Sequence, residues 1–155
     1  MISANCGVIM GLALLGPFLL VQGCASGGGG PEARRSEVVM AALSQVGTRY
    51  GYGSNAPGEA LDCSALTRYA HRAAGLEIPR VSTAQKAAAK PVSPARVKEG
   101  DLVFFRTGPR QYHVGLMVDR ERFVHASTSQ REVLISRLDQ PYWRDRLIGA
   151  GTYLN

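Results

Sequence analysis

Residues 61–75 have the sequence LDCSALTRYAHRAAG, and this stretch decides the predicted fold. The run Asp62-Cys63-Ser64 is predicted to open a helix that continues to about Ala74, and Gly75 is typical of the position after a helix C-terminus. Cys63 then lies in the first turn of that helix. The predicted buried face follows a spacing of three and four residues and consists of Leu66, Tyr69, Ala70 and Ala73.

A cysteine in a first helical turn has a favourable position for a nucleophile. The positive end of the helix dipole favours the thiolate, so a lowered pKa is predicted for the Cys63 thiol. A thiol nucleophile also needs a general base, and the chain has three histidines. His71 lies on the same helix, about 12 Å from Cys63 along the axis, and is predicted to be a surface residue. His113 and His125 are the remaining candidates.

The second half of the chain is predicted to form an antiparallel sheet. The run Asp119-Arg120-Glu121-Arg122 is predicted to be a hairpin turn that brings His113 and His125 onto neighbouring strands. Strand alternation places His113 and Met117 on one face and Val114 on the other. The predicted elements are strands at 102–105, 114–118, 123–126, 133–135 and 147–154, with a short helical turn at 141–146.

The preceding part of the domain is predicted to be helical. Ser36 is a plausible N-cap for a first helix, and Ser82-Thr83-Ala84-Gln85 matches a capping box at the start of a short third helix. Residues 48–61 are rich in glycine and polar residues and are predicted to form a loop that carries Tyr50 and Tyr52. Helices followed by antiparallel strands predict one α+β domain.

The N-terminal segment has features of an exported lipoprotein. Residues 1–23 are predicted to be a signal peptide, because they contain no charged residue and their apolar stretch is too short to span a bilayer. Leu20-Val21-Gln22-Gly23-Cys24 resembles a lipobox, which makes Cys24 the predicted lipid attachment site. Residues 24–35 are predicted to be a flexible tether and residues 36–155 the folded domain. The alternative is a buried N-terminal helix.

The cysteine content and the net charge limit the cellular locations and the binding partners that we expect. Cys63 is the thiol left after signal cleavage and lipidation, so it serves either chemistry or burial, and composition does not separate the two. The net charge of +6 fits peptidoglycan or anionic lipid as a partner, and it fits a merely solvated basic face equally well. Nucleic acid is not expected as a partner of an exported chain. We expect a monomer anchored in the outer membrane and facing the periplasm, since Ala25 rather than aspartate follows Cys24.

Six short segments of the mature domain form an ordered pattern: Gly47–Gly53, Leu61–Leu66, Pro79–Gln85, Gly100–Phe105, His113–Leu116 and Phe123–Ser127. In order and spacing they resemble the NlpC family of papain-like cell-wall cysteine endopeptidases. Ala65 departs from the family pattern where glycine is usual, and Ser54 where a second glycine often follows. These two departures concern loop shape and substrate preference, because neither removes a catalytic group.

The resemblance implies a papain-like fold, with N-terminal helices packed on an antiparallel sheet of about five or six strands. It implies that Cys63 is the nucleophile, that His113 is the general base and acid, and that His125 orients His113. Tyr50 matches the family's tyrosine that faces the cysteine and would help to hold the oxyanion. Family members typically cut bonds involving D-glutamate or diaminopimelate in peptidoglycan, without a metal or other cofactor. Two further matched positions lie near the substrate groove, Asp62 and Ser64.

Three alternatives remain open at the level of sequence. Cys63, His113 and His125 are permissible zinc ligands, although the chain lacks a close ligand pair. A catalytically inactive wall-binding lipoprotein would need only the basic surface and the anchor. A thiol acyltransferase on the same fold would transfer the acyl group to an amine or a lipid instead of water.

Overall fold

The chain places three helices and four short strands before a run of longer strands, as a computed structural model shows for residues 30–154. The predicted signal peptide and Cys24 lie outside these described residues. Within residues 30–154, no helix has the length and apolar character needed to cross a membrane. The helices are α1 Pro31–Leu43, α2 Cys63–Ala73, α3 Ser82–Ala88 and α4 Pro141–Arg144. The strands are β1 Arg49–Tyr50, β2 Asn55–Ala56, β3 Ala60–Leu61, β4 Lys90–Val92, β5 Leu102–Gly108, β6 Gln111–Met117, β7 Arg122–Ser127, β8 Glu132–Arg137 and β9 Leu147–Thr152.

The nine strands belong to one sheet, in the order β2-β3-β1-β8-β7-β6-β5-β9-β4. The five predicted strands correspond to β5 through β9 and are confirmed as antiparallel neighbours. The predicted total of five or six strands is wrong, and so is the prediction of a wholly antiparallel sheet, because β1 pairs with β3 in parallel. The four additional strands have two or three residues each. Strands this short carry too little alternation to be recognised in a sequence.

Side-chain alternation in the sheet produces two apolar layers. Val114 and Leu116 face α1 and α2 in the larger core, while Met117 lies in a second cluster on the opposite face. The predicted division of β6 into two faces is therefore confirmed. His113 shares its face with the second cluster, where it contacts the ring of Phe105.

Helix α1 begins at Pro31 rather than at the predicted N-cap Ser36. Proline is favourable at a first helical position, because its missing N–H would have no partner there. The added turn brings Arg35 into the protein, where its side chain forms a 2.8 Å ion pair with the Asp101 carboxylate. Residues 31–35, which the sequence assigned to a tether, therefore fasten α1 to the start of β5.

Helix α3 begins without the predicted capping box. Val81 is the N-cap residue, and no side chain caps the helix. Gln85 points inward instead and is fully buried. Its side-chain amide donates to the carbonyl oxygens of Ser64, at 3.0 Å, and of Pro79, at 2.8 Å. Gln85 thus holds the first turn of α2 in place.

His71 is buried, and the prediction of a surface histidine is wrong. Its ring packs edge-on against Tyr153 with the centroids 5.6 Å apart. Its Nδ1 atom lies 2.8 Å from the carbonyl oxygen of Thr67, while its Nε2 atom is buried without a partner in the described part of the chain. Burial lowers the pKa of His71 from 6.5 to about 4.

The low pKa of His71 predicts that stability falls as the solution becomes acidic. Above pH 6.5 both the folded and the unfolded chain keep this imidazole neutral, whereas between pH 6.5 and about 4 only the unfolded chain binds the proton. The resulting loss is about 3 kcal/mol once pH falls below the folded-state pKa. His71→Leu should remove this part of the acid sensitivity, as measured by urea unfolding at several pH values. Equal pH slopes for the two proteins would contradict the prediction.

Candidate active site

The first turn of α2 is capped by Asp62. Asp62 adopts an extended backbone conformation, and its side chain accepts a 2.7 Å hydrogen bond from the backbone N–H of Ala65. This bond satisfies one of the N–H groups that a helix start leaves unpaired. Cys63 follows as the first helical residue and is half-buried. The sulfur is therefore fixed at the positive end of α2.

Arg80 completes the structure around this helix start. Its guanidinium donates to both carboxylate oxygens of Asp62, at 2.9 and 2.7 Å, and to the Ser64 hydroxyl at 3.0 Å. The Ser64 hydroxyl in turn donates to Asp62 at 3.1 Å. Two-pronged pairing of this kind fixes orientation as well as charge. Asp62 and Ser64 line the same cleft as Cys63. Their polar side-chain atoms form the hydrogen bonds that stabilise the start of α2.

The two remaining histidines meet across neighbouring strands. Nε2 of His113 in β6 lies 2.9 Å from Nδ1 of His125 in β7, and both side chains are buried. The second ring nitrogen of His125, Nε2, lies 3.0 Å from the hydroxyl of Ser136 in β8. The pair is thus oriented from three adjacent strands, and within residues 30–154 Nδ1 of His113 has no hydrogen-bond partner.

Aromatic side chains enclose the histidine pair on the second face of the sheet. Trp143 of α4 stacks on His113, with ring centroids 5.5 Å apart, and meets His125 edge-on at 4.8 Å. Phe123 packs on His125 at 5.0 Å. Gly115 is required for this packing, because a Cβ atom there would overlap the Phe123 ring. The imidazoles are therefore held by contacts over their ring faces as well as by hydrogen bonds.

One cleft of about 1350 Å³ brings the predicted site residues together. It lies where β5 and β7 end and β6 and β8 begin, beside the first turn of α2. The backbone N–H of Val114 would stabilise a thiolate on Cys63, which puts the sulfur near β6. The predicted site residues that line this cleft are Tyr50, Asp62, Cys63, Ser64, His113 and His125.

Burial keeps the Cys63 thiol and the imidazoles of His113 and His125 uncharged at neutral pH. It raises the pKa of the Cys63 thiol to about 11, although hydrogen bonds from the backbone N–H groups of Val114 and Ser64 act in the opposite direction. The prediction of a lowered thiol pKa is therefore wrong for the free protein. Burial lowers the pKa of His113, and burial together with the charge of a protonated His113 lowers the pKa of His125. Neutral imidazole is the form that accepts a proton.

Two tyrosines of the glycine-rich loop occupy different parts of the cleft. Tyr50 is half-buried, while Tyr52 is 95% exposed at the rim. Burial and the charge of a Cys63 thiolate raise the pKa of Tyr50, so its hydroxyl keeps the proton and can donate a hydrogen bond. Strand β1 holds Tyr50 through a 2.8 Å bond from its backbone N–H to the Arg131 carbonyl oxygen. Of the two tyrosines, Tyr50 has the environment of a donor near the sulfur.

Three residues of the site were not identified from the sequence, namely Arg80, Ser136 and Trp143. Arg80 stands in the recognised segment Pro79–Gln85, but its pairing with Asp62 depends on the tertiary fold. Trp143 is the single tryptophan of the chain and lies in the predicted helical turn, which was an available signal. The zinc alternative gains no support, because residues 30–154 contain no group of three or more histidine, cysteine or acidic side chains placed to hold a metal ion.

Comparisons with known proteins agree with this geometry. The profile of the NlpC/P60 family matches residues 47–152. Murein DD-endopeptidase MepS/Murein LD-carboxypeptidase of Escherichia coli K12 is 41% identical over 101 residues, which cover 64% of this chain and 53% of that protein. Gamma-DL-glutamyl hydrolase of Bacillus subtilis is 35% identical over 130 residues, covering 81% of this chain and 31% of that protein. The chain therefore spans about half the length, or less, of these curated relatives.

Solved structures show the same fold. A protein from Staphylococcus aureus Mu50, described as similar to lipoprotein of the NLP/P60 family, matches with a TM-score of 0.72 and 30% identity over 80% of this chain and 42% of that one. The peptidoglycan hydrolase RipB of Mycobacterium tuberculosis matches with a TM-score of 0.67 and 29% identity, covering 81% of this chain and 67% of that one. The papain-like α+β class expected from the sequence is confirmed.

Proposed function

Because the chain belongs to the NlpC/P60 family, we propose that it is a peptidoglycan hydrolase in which the Cys63 thiol attacks amide bonds of the stem peptides or crosslinks. The observation that carries the proposal is the 2.9 Å contact between His113 and His125 in the cleft that also holds Cys63. A nucleophile, a base and a group that orients the base are the requirements of covalent acyl transfer. The murein endopeptidase activity named for the E. coli relative supports the same substrate.

The hydrogen bonds around the histidines suggest which tautomers act. We assign Nε2–H of His125 as donor to the Ser136 hydroxyl, which leaves Nδ1 of His125 as an acceptor. His113 then donates its Nε2–H to His125, and its own Nδ1 lone pair is available to the thiol. Neutral His113 in this form is a general base.

The proposed reaction has two half-reactions. As the Cys63 sulfur bonds to the carbonyl carbon, the thiol proton moves to Nδ1 of His113, and His113 then gives this proton to the departing amine. The C–N bond breaks and a thioester remains. A water molecule next attacks the thioester while His113 takes one of its protons, and that proton returns to the sulfur as the acid product leaves. The proposed chemistry uses no metal.

The oxyanion of each tetrahedral intermediate needs hydrogen-bond donors. We propose that the Tyr50 hydroxyl and the backbone N–H groups at the start of α2 fill this role. A tyrosine hydroxyl is protonated at neutral pH, and burial raises the pKa of Tyr50 further above its ordinary value of 10.0. Donors fixed before the reaction stabilise developing charge without reorganisation. Asp62 and Ser64 are proposed to contribute to substrate binding at the edge of the same helix start.

The location of the enzyme is a further part of the proposal. Residues 1–23 would direct export, a lipid on Cys24 would anchor the chain in the outer membrane, and residues 24–35 would connect the anchor to a monomeric domain at 36–155. Residues 31–35 are helical and therefore belong to the folded domain instead of the predicted tether. Extraction of the protein from outer-membrane vesicles, with mass analysis of its N-terminus, checks both the anchor and the membrane.

Mass analysis of the fragments released from purified peptidoglycan tests the activity itself. We expect new amine and carboxyl termini within stem peptides, loss of release after thiol alkylation, and full release in the presence of a chelator. Products that carry an added amine or lipid would favour the acyltransferase alternative. Binding to peptidoglycan without released fragments would favour the inactive binding protein. Release that stops with the chelator would contradict the thiol mechanism.

A further inference from the structure

The cleft carries an uncompensated positive charge. His113 and His125 are neutral, and the charged residues that line it are Asp62, Arg80 and Arg110. Asp62 and Arg80 form a 2.7 Å ion pair and cancel each other's charge. Arg110 is exposed, and among residues 30–154 it forms no side-chain hydrogen bond or ion pair. The cleft therefore attracts a negatively charged group near Arg110.

Arg110 is held close to the catalytic histidines by the sheet. It lies in the turn between β5 and β6, directly before the strand that carries His113. Gly108 and Gln111 close this turn as paired residues. Because the turn connects two long antiparallel strands, its position relative to His113 is fixed by the sheet. Arg110 and His113 therefore line the same cleft.

The backbone at Arg110 is unusual for an arginine. Its φ angle is 58°, in the left-handed region that glycine adopts most easily. Arg131, in the turn between β7 and β8, has a similar φ of 61° but is not among the cleft-lining residues. A turn of this shape would form more readily with glycine, so the fold itself does not require the arginine side chain at either position. These two arginines form a matched pair that differs in access to the cleft.

We propose that Arg110 forms a subsite for a free carboxylate of the substrate, so that the enzyme prefers acidic stem peptides over amidated ones. The anionic groups of a peptide are carboxylates, and a guanidinium matches their shape with two parallel N–H donors. Conversion of the carboxylate to a carboxamide removes the charge but keeps the size. The cleft exceeds the volume of most small-molecule sites, which leaves room for a branched peptide. This inference rests on the proposed hydrolase function.

A matched pair of peptides and a matched pair of variants test the subsite. The parent substrate is a stem peptide that the wild-type protein cleaves. For each of its free carboxyl groups, a second peptide is prepared in which that group alone is a carboxamide. We expect the wild type to cleave one acid form with a kcat/KM at least about tenfold above that of its amide. Arg110→Gly should abolish this preference by slowing only the acid form. Arg131→Gly should leave both rates unchanged, because only the backbone carbonyl oxygen of Arg131 contacts Tyr50 and glycine keeps that bond.

Further measurements separate charge recognition from a structural effect. Both glycine variants should unfold at the wild-type temperature, since glycine suits the left-handed backbone at each position. Increasing ionic strength should reduce the acid preference of the wild type and have no effect on Arg110→Gly. Equal slowing of acid and amide by Arg110→Gly, or no wild-type preference for any carboxylate, would overturn the subsite alone. Absence of any wild-type turnover would instead overturn the proposed hydrolase function and the subsite with it.

Discussion

Replacement of Cys63 with alanine removes peptidoglycan cleavage to the uncatalysed background, a loss on the order of 10⁴-fold or more. The proposed acyl-enzyme forms on the sulfur, and no other thiol is present in the described residues. The fold should be retained, because Asp62 caps α2 through its own side chain and alanine is a favourable helix residue. Fragment release from peptidoglycan, together with thermal unfolding of the variant, measures the two effects separately.

Cys63→Ser supplies the matched control for this experiment. A hydroxyl has nearly the same size and position as the thiol but is a much weaker nucleophile beside the same base. The serine variant should therefore bind substrate, fold normally and turn over far more slowly than wild type. Activity of the alanine variant within tenfold of wild type would refute the nucleophilic role of Cys63. A loss of folded structure in the alanine variant would be detected by the unfolding measurement.

Local signals were sufficient to predict the framework of the site. Asp62 followed by an apolar helical repeat predicted α2 and placed Cys63 in its first turn, as the structure has it. The alternation along β6 predicted which face carries His113, and the turn before β7 predicted the hairpin that pairs it with His125. Each of these features depends on neighbours within a few residues, which is why the sequence contains them.

The features that sequence reasoning missed depend on distant contacts. Arg35, His71 and Gln85 are buried polar residues whose partners lie elsewhere in the chain or in the packed core. By composition each would be assigned to the surface, because charged and amide side chains are seldom fully buried without such partners. Trp143 covers the imidazoles only because α4 precedes β9 next to the second apolar cluster. Pairing between distant segments therefore determines the second half of the site.

The electrostatics of the thiol illustrate the same limit. A position in the first turn of a helix favours the thiolate, and the sequence contains this signal. The burial of the Cys63 sulfur is a tertiary property, and the resulting desolvation raises the thiol pKa by more than the backbone N–H groups lower it. In the free protein the Cys63 thiol is therefore uncharged at neutral pH. The nucleophile is then generated at the moment when His113 accepts its proton.

Replacement of His113 with alanine should lower kcat/KM at neutral pH by about 10³-fold. A thiol whose pKa is about 11 is protonated at pH 7, so the reaction needs a proton acceptor beside it. Without His113 the reaction depends on the small fraction of Cys63 that is thiolate. As long as the pH is below the thiol pKa, this fraction increases tenfold for each unit by which the pH is raised. The activity of the variant should therefore rise steeply between pH 7 and 10, while the wild-type profile stays flatter. Steady-state rates on one stem peptide across this range measure both curves.

Variants of His71 and His125 serve as controls for the role of His113 as the general base. His71→Leu removes a buried neutral imidazole outside the cleft and should change stability at low pH without changing the pH profile of activity. His125→Asn should retain more activity than His125→Leu, because an asparagine oxygen near the position of Nδ1 can accept the Nε2–H of His113. Equal losses in these two variants would refute the assigned direction of that hydrogen bond. A flat pH profile for His113→Ala would refute a protonated resting thiol, since the variant has no other means of responding to pH at the sulfur.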